Sequence, residues 1–274
     1  VQRGIDCIYN IEFEKADKEF DEVVRLVPDH PAGHFFRAMT EWWRILSNFD
    51  DESRDKGFYA MLDKVIDMCE KRLDKNENDV TALFFKGGAV GFRGRLRANR
   101  GAWLLAANDG LVALPAVRKA NKLEPSNYDV LLGMGIYNYY ADVVPSQYPV
   151  VKPLMIFLPS GEKKKGLEQL ELAAQKARYA KVEATYFLLQ TYFSYEKQYV
   201  RALELARELH SKYPKNPLFH RMYGRCYVSL GYWAEAFEIF NDVEGRYRNH
   251  QDGYDDYDAR EAYYYIGRHY FLAS

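Results

Sequence analysis

The chain has 274 residues, 48% of them hydrophobic, 28% charged and 16% aromatic, with 38 Lys plus Arg against 39 Asp plus Glu and a formal net charge of -1. So apolar a chain is not disordered, and so even a balance supplies no global field for phosphate backbones or anionic membranes, which speaks against a nucleic-acid binder. Charge interrupts the hydrophobic stretches before the roughly 18 residues that a spanning helix needs.

Taken in chain order, the sequence predicts six helical hairpins and a last helix. The first covers residues 1–28: its second helix carries a small residue, a bulky one four later, an apolar one three later and then Pro, as Ala16, Phe20, Val23 and Pro28. Small residues let two helices approach, the bulky one fills the hole between hairpins, and Pro stops the helix. A second hairpin spans 31–76, opening after His30-Pro31 and interrupted by an insertion over 48–56. The third, 79–125, repeats the pattern as Ala113, Val117, Ala120 and Pro125. It is lengthened around Gly91 to Arg100, where Arg93, Arg97 and Arg100 share one helical face and read best as a salt-bridge face.

The fourth hairpin spans 127–180. Ser126 with Asp129 three later has capping-box spacing at its start. An insertion over 143–161 carries several prolines, which forbid a regular helix, and enough apolar surface to need a cover. It either folds back over the fold's own groove or anchors a partner or a peripheral membrane contact through 143–160. The fifth hairpin, 182–214, and the sixth, 216–244, are the most regular, and Asn216-Pro217 sets a cap residue before a first-turn proline. A last helix runs from Ala259 to the end, 259–274. Gly4, Gly135, Gly224 and Gly267 fall in the same packing slot of successive first helices, with Ala38 and Gln190 in that slot elsewhere.

In the later hairpins, Tyr186, Leu189 and Phe193 precede Tyr199, Ala202, Ala206, Leu209 and Pro214, and equivalents recur about 34 positions on as Gly224, Tyr227, Gly231, Tyr232, Ala236 and Phe240. This pattern resembles the tetratricopeptide repeat. The stretches 87–96 and 132–140, and Leu158-Pro159-Ser160-Gly161 before Gly166-Leu167, look like bacterial tetratricopeptide proteins distantly similar to the eukaryotic tetratricopeptide-repeat-39 group. The resemblance implies an all-α fold, a right-handed α-solenoid of stacked hairpins with loop insertions, over a single domain 1–274. Some bacterial relatives of this kind look exported, which suits a chain beginning at Val1 and favours a periplasmic or exported location.

The resemblance also implies a concave face lined by the first helix of each hairpin. Its inner positions fall here on Phe35, Trp42 and Trp43, on Tyr139 and Tyr140, on Phe187 and Tyr195, on Arg221 and Arg225, and on Tyr264 and Arg268. Aromatics give contact area at low rotamer cost and Arg forks grip carboxylates, so an aromatic and Arg-lined groove for a peptide or protein segment is the expected site. Two alternatives stand beside it. The aromatics can be core, and the arginines can pair with Asp255, Asp256, Asp258 or Glu261 nearby. The other functional reading is a structural or self-assembling element that docks through its terminal helix; the oligomeric state stays open.

No residue pattern calls for catalysis, a cofactor or a metal. The six histidines form no HExxH pattern, Gly133-Met134-Gly135 lacks the third glycine and the strand of a dinucleotide site, and 252–258 lacks the closing Glu of an EF-hand. Cys7, Cys69 and Cys226 stand too far apart for a disulfide framework or a CxxC pair and read as packing residues.

Overall fold

The structure, a computed structural model, describes residues 1–147 and 159–273. Among these there are thirteen α-helices and no strand. The helices are α1 (Gln2–Tyr9), α2 (Phe13–Leu26), α3 (Pro31–Ser47), α4 (Asp55–Leu73), α5 (Val80–Asn99), α6 (Trp103–Leu123) and α7 (Val130–Gln147). After the insertion come α8 (Lys163–Lys176), α9 (Lys181–Gln190), a π-helical turn Thr191–Tyr195, α10 (Tyr199–Lys212), α11 (Pro217–Leu230), α12 (Trp233–Arg248) and α13 (Asp256–Ala273). Consecutive helices pack in antiparallel succession. In addition α1 touches α3, α3 touches α5, α5 touches α7, α7 touches α9 and α11 touches α13, so the odd-numbered helices form the inner layer of a solenoid.

Local chemistry marks the starts. Asn216 accepts from the backbone N–H groups of Leu218 and Phe219 ahead of Pro217, His30 Nδ1 accepts from Ala32 N, and Asp79 accepts from Ala82 N. Asp129 departs from the expected capping box: its Oδ1 receives Tyr179 N and Ala180 N at 2.7 Å each, tying the start of α7 to the turn before α9. Pro145 departs too, since α7 runs through it to Gln147; so close to the helix end it removes a single backbone bond. The rest of the apolar insertion, 148–158, lies outside the described residues.

The recurrent glycine has a visible cause. A Cβ built at Gly4 would stand 2.6 Å from Phe20, at Gly135 2.8 Å from Leu170 and at Gly224 2.8 Å from Phe240, each the bulky residue of the following helix. Gly87 in α5 stands likewise against Val117, at 2.5 Å. These contacts predict that Gly224→Ala lowers stability by about 1–3 kcal/mol through overpacking, whereas Gly267→Ala, with nothing within 4 Å, raises it by up to ~1 kcal/mol through helix propensity. Paired thermal melts read both.

The solenoid comes round on itself. The turn between α1 and α2 meets the turn between α10 and α11: Asn216 Nδ2 donates to the Tyr9 carbonyl at 2.9 Å, Tyr213 Oη to Asp6 at 2.8 Å and Lys215 Nζ to Glu12 at 2.7 Å. Ile11, at φ 61°, fits against Gly253, whose φ of 89° and 2.8 Å clearance from Ile11 both call for glycine. Behind this seam Tyr9, Trp43, Tyr186 and Phe219, from four inner helices, pack together, mostly edge-on or tilted, with ring centroids 5.0–6.5 Å apart.

Near the seam two imidazoles, His210 of α10 and His220 of α11, stack at 4.2 Å. His220 Nδ1 meets Tyr254 Oη at 2.9 Å, Nε2 lies 3.4 Å from Asp242, and Arg246 and Tyr223 complete the surroundings. Burial, then the charges of His210 and Arg246, push His220 down to about 2. Folding therefore keeps this ring neutral while the unfolded chain takes up a proton below its ordinary value of 6.5. Stability is full above that pH and falls on acidification by about 1.4 kcal/mol per pH unit for the one proton. A His220→Phe chain should show a pH slope shallower by that amount in denaturant titrations between about pH 4 and 6, below the ordinary histidine value.

Candidate functional site

The side chains expected to line a groove divide into two groups. Phe35 packs on Phe36, Phe85 and Phe92, and Trp42 on Phe58 and Phe92. Both Trp42 and Trp43 are buried, at 0% and 2% exposure, yet they point to different elements, Trp42 into the α3–α5 hairpin layers and Trp43 into the seam. Tyr139 is fully buried and donates to Glu196 at 2.5 Å, with Tyr140 and Tyr195 edge-on to it. Tyr140 also packs on Phe187. The first turn of the superhelix is tight enough for these rings to fill its interior, so the aromatic concave face is covered by the chain itself.

A half-buried arginine and a buried glutamate hold that interior together. The Arg95 guanidinium lies 4.9 Å from the Trp42 ring and 4.3 Å from the Phe187 ring, and donates to Glu183 at 3.0 Å. Glu183, buried in α9, also accepts from Tyr9 Oη at 3.1 Å. Burial, reinforced by Glu183, raises the Tyr9 hydroxyl well above its ordinary value and keeps it a donor. Periodicity carries no sign of this link, because its members stand on three helices far apart in the chain. The rest of the basic run behaves as a salt-bridge face: Arg93 reaches Asp63 and Asp109, Arg97 reaches Asp109, and Arg100 reaches Asp55.

The arginines of α11 are also engaged. Arg221, 6% exposed, meets Asp258 and Glu261 at 2.5 Å, and Arg225 forks onto Glu261. Burial pushes the Asp258 carboxyl up to about 6 against the pull of Arg221. Glu261 is lifted by burial as well, but the hydrogen bonds and charges of Arg225 and Arg221 outweigh it and hold it below the ordinary carboxylate value. These pairs clamp α13 onto α11.

Tyr264 and Arg268 stand apart. Tyr264 is 56% exposed, and Arg268 Nη1 donates to the Tyr264 hydroxyl at 3.2 Å while lying over the Trp233 ring. Around them Tyr263 and Tyr270 are exposed too. Besides this aromatic edge of α13, α6 turns Trp103, Leu104, Leu105, Leu111 and Val112 outward. Cys69 and Cys226 are buried with thiols pushed up to about 12 by burial, so they serve packing rather than chemistry. Among the described residues no group of His, Cys, Asp and Glu is placed to hold a metal ion, and no helix is long and apolar enough to cross a membrane.

Helices paired in sequence, with the first member of each pair in a shared inner layer, define an α-helical repeat protein. More narrowly, residues 195–254 match the family described as Tetratricopeptide repeat, and that stretch covers α10, α11 and α12. The chain is thus similar to tetratricopeptide-repeat proteins. Among solved structures it is similar to the C-terminal part of a TPR repeat-containing protein from Cytophaga hutchinsonii, at 14% identity over 97% of this chain and 93% of that one, with a TM-score of 0.35. Another is yeast Tom70, at 11% identity over 97% of this chain and 76% of that one, with a TM-score of 0.31. No curated protein matches the chain.

Proposed function

We propose that this protein is a non-enzymatic scaffold that holds a protein segment, and that the segment is met at the exposed edge of α13 by Tyr264, Arg268, Tyr263 and Tyr270. The tetratricopeptide stretch at 195–254 supports the class of function, since such hairpins commonly serve as protein-binding platforms. What carries the choice of surface is exposure: of the expected groove residues, the other nine pack on the chain's own side chains, while Tyr264 and Arg268 face solvent. Aromatic and Arg side chains are the residues that anchor interfaces. With Arg93, Arg97 and Arg100 paired internally, no basic stripe is left there for nucleic acid.

The test compares the intact chain with Tyr264→Ala/Arg268→Glu as baits in extract from the source organism. A protein bound by the intact chain and lost from an equally folded double variant supports the reading. Identical captures move the surface elsewhere. A bare chain that runs as a dimer and binds nothing supports the other reading, self-assembly through the terminal helix.

A further inference from the structure

The outer helices α2, α4, α8, α10 and α12 turn mostly charged residues to solvent. The outer helix α6 breaks this rule: from Trp103 to Pro115 its exposed residues are apolar except for Asn108, and none carries a charge. Asp109, the only charge in that stretch, is fully buried against Arg93 and Arg97. The face does not arise at an end of the chain, since α6 is followed by α7, on which its second half packs through Ala116, Val117 and Ala120.

Helical geometry sorts these residues. At 3.6 residues per turn, Leu104, Asn108, Leu111, Pro115, Arg118 and Lys122 fall on one stripe about 80° wide. The stripe is uncharged as far as Pro115 and basic at Arg118 and Lys122, while Lys119 beside it pairs with Glu77 at 3.5 Å. Over its whole length α6 exposes no acid.

The start of the helix narrows the choice of occupant. Trp103, Leu104 and Leu105 are 52%, 70% and 54% exposed, and three successive residues sweep about 200° of the first turn. A helix seated on another protein element offers a narrower apolar stripe, of about 100°. A fluid apolar medium takes the wider sweep without a matching socket. A second copy fits the charges poorly, because two α6 faces related by a two-fold axis bring each other basic residues and no acid.

We propose that α6 docks the protein on a lipid bilayer that carries anionic head groups, with Trp103, Leu104, Leu105 and Leu111 in the interface and Arg118 and Lys122 against the head groups. A helix lying flat in this way sinks its apolar side by roughly 5–10 Å and gains from each basic residue near the surface. The contact is independent of the α13 edge on which the scaffold reading rests, so either can fail alone.

The test uses the whole 274-residue chain and vesicles of phosphatidylcholine, alone or mixed with phosphatidylglycerol. The chain should co-sediment with the mixed vesicles and more weakly with phosphatidylcholine alone. Leu104→Glu/Leu111→Glu should weaken binding at least about tenfold, and Arg118→Ala/Lys122→Ala by roughly fivefold for each charge removed. All four positions are exposed, so melts that match the intact chain keep these results readable. The Tyr264→Ala/Arg268→Glu chain should bind vesicles as the intact chain does. Brominated lipid should quench the fluorescence of Trp103, and the effect should vanish in Trp103→Phe, since Trp42 and Trp43 are buried.

No sedimentation with the mixed vesicles, or equal sedimentation by the Leu104→Glu/Leu111→Glu chain, overturns the proposal. So does acrylamide quenching that is the same for the lipid-free intact chain and its Trp103→Phe variant, because the chain itself then covers the tip. A dimer in light scattering that Leu104→Glu/Leu111→Glu turns into a monomer also overturns it and assigns the face to a second copy. Equal binding to the two vesicle compositions overturns the assignment to anionic head groups.

Discussion

Trp43→Ala is expected to lower the stability of the whole chain by about 3–5 kcal/mol, the range for removing a fully buried large aromatic. Trp43 sits at the centre of the seam, with Tyr9 at 5.0 Å, Phe219 at 5.5 Å and Tyr186 at 5.6 Å, so its loss opens a cavity where the two ends of the superhelix meet. A Trp lining an open groove would behave otherwise, since its ring would be half in water before and after. Tyr264→Ala is the matched control, and a change within about 0.5 kcal/mol is expected there. Urea unfolding followed by circular dichroism measures both, and a Trp43→Ala chain as stable as the control contradicts the closed seam.

This contrast also shows what the sequence could and could not reveal. The small–bulky–Pro pattern reports local packing: Phe20, Val117 and Phe240 seat over Gly4, Gly87 and Gly224. Of the rings that meet behind the seam only Trp43 was among the expected inner-face positions; Tyr186 and Phe219, which pack on it, were not. What periodicity does not encode is how tightly successive hairpins turn. That angle depends on contacts such as Tyr213 with Asp6 and Asn216 with the Tyr9 carbonyl, between residues some two hundred positions apart. An open groove and a filled interior therefore have the same sequence pattern. The arginines were ambiguous for a related reason: Arg221 and Arg225 take their carboxylates from α13 across a loop insertion, at a spacing no repeat rule fixes.

The second large effect lies in that ion-pair group. Glu261→Gln should cost about 3–5 kcal/mol, because removing one charge from a buried pair leaves the other uncompensated. Arg221 is almost wholly buried and keeps only Asp258, while Arg225 loses its carboxylate. The damage should begin at the C-terminal end: in hydrogen exchange, amides of α13 should lose protection before those of α3 or α5. Arg260→Ala, on the exposed side of the same helix, should leave both stability and exchange nearly unchanged. Equal, small losses for the two variants would mean that the clamp contributes little and that α13 is held by its apolar contacts alone.

The closure of the superhelix decides which surface is left for a partner, and a distance measured in solution tests it most directly. Spin labels at Lys15→Cys and Lys212→Cys, with the three native cysteines replaced, lie on either side of the seam where Asp6, Asn10 and Glu12 meet Tyr213 and Lys215. Pulsed dipolar spectroscopy should return one short, narrow distance. A long or two-peaked distribution would show a superhelix that opens and would return the aromatic interior to the partner.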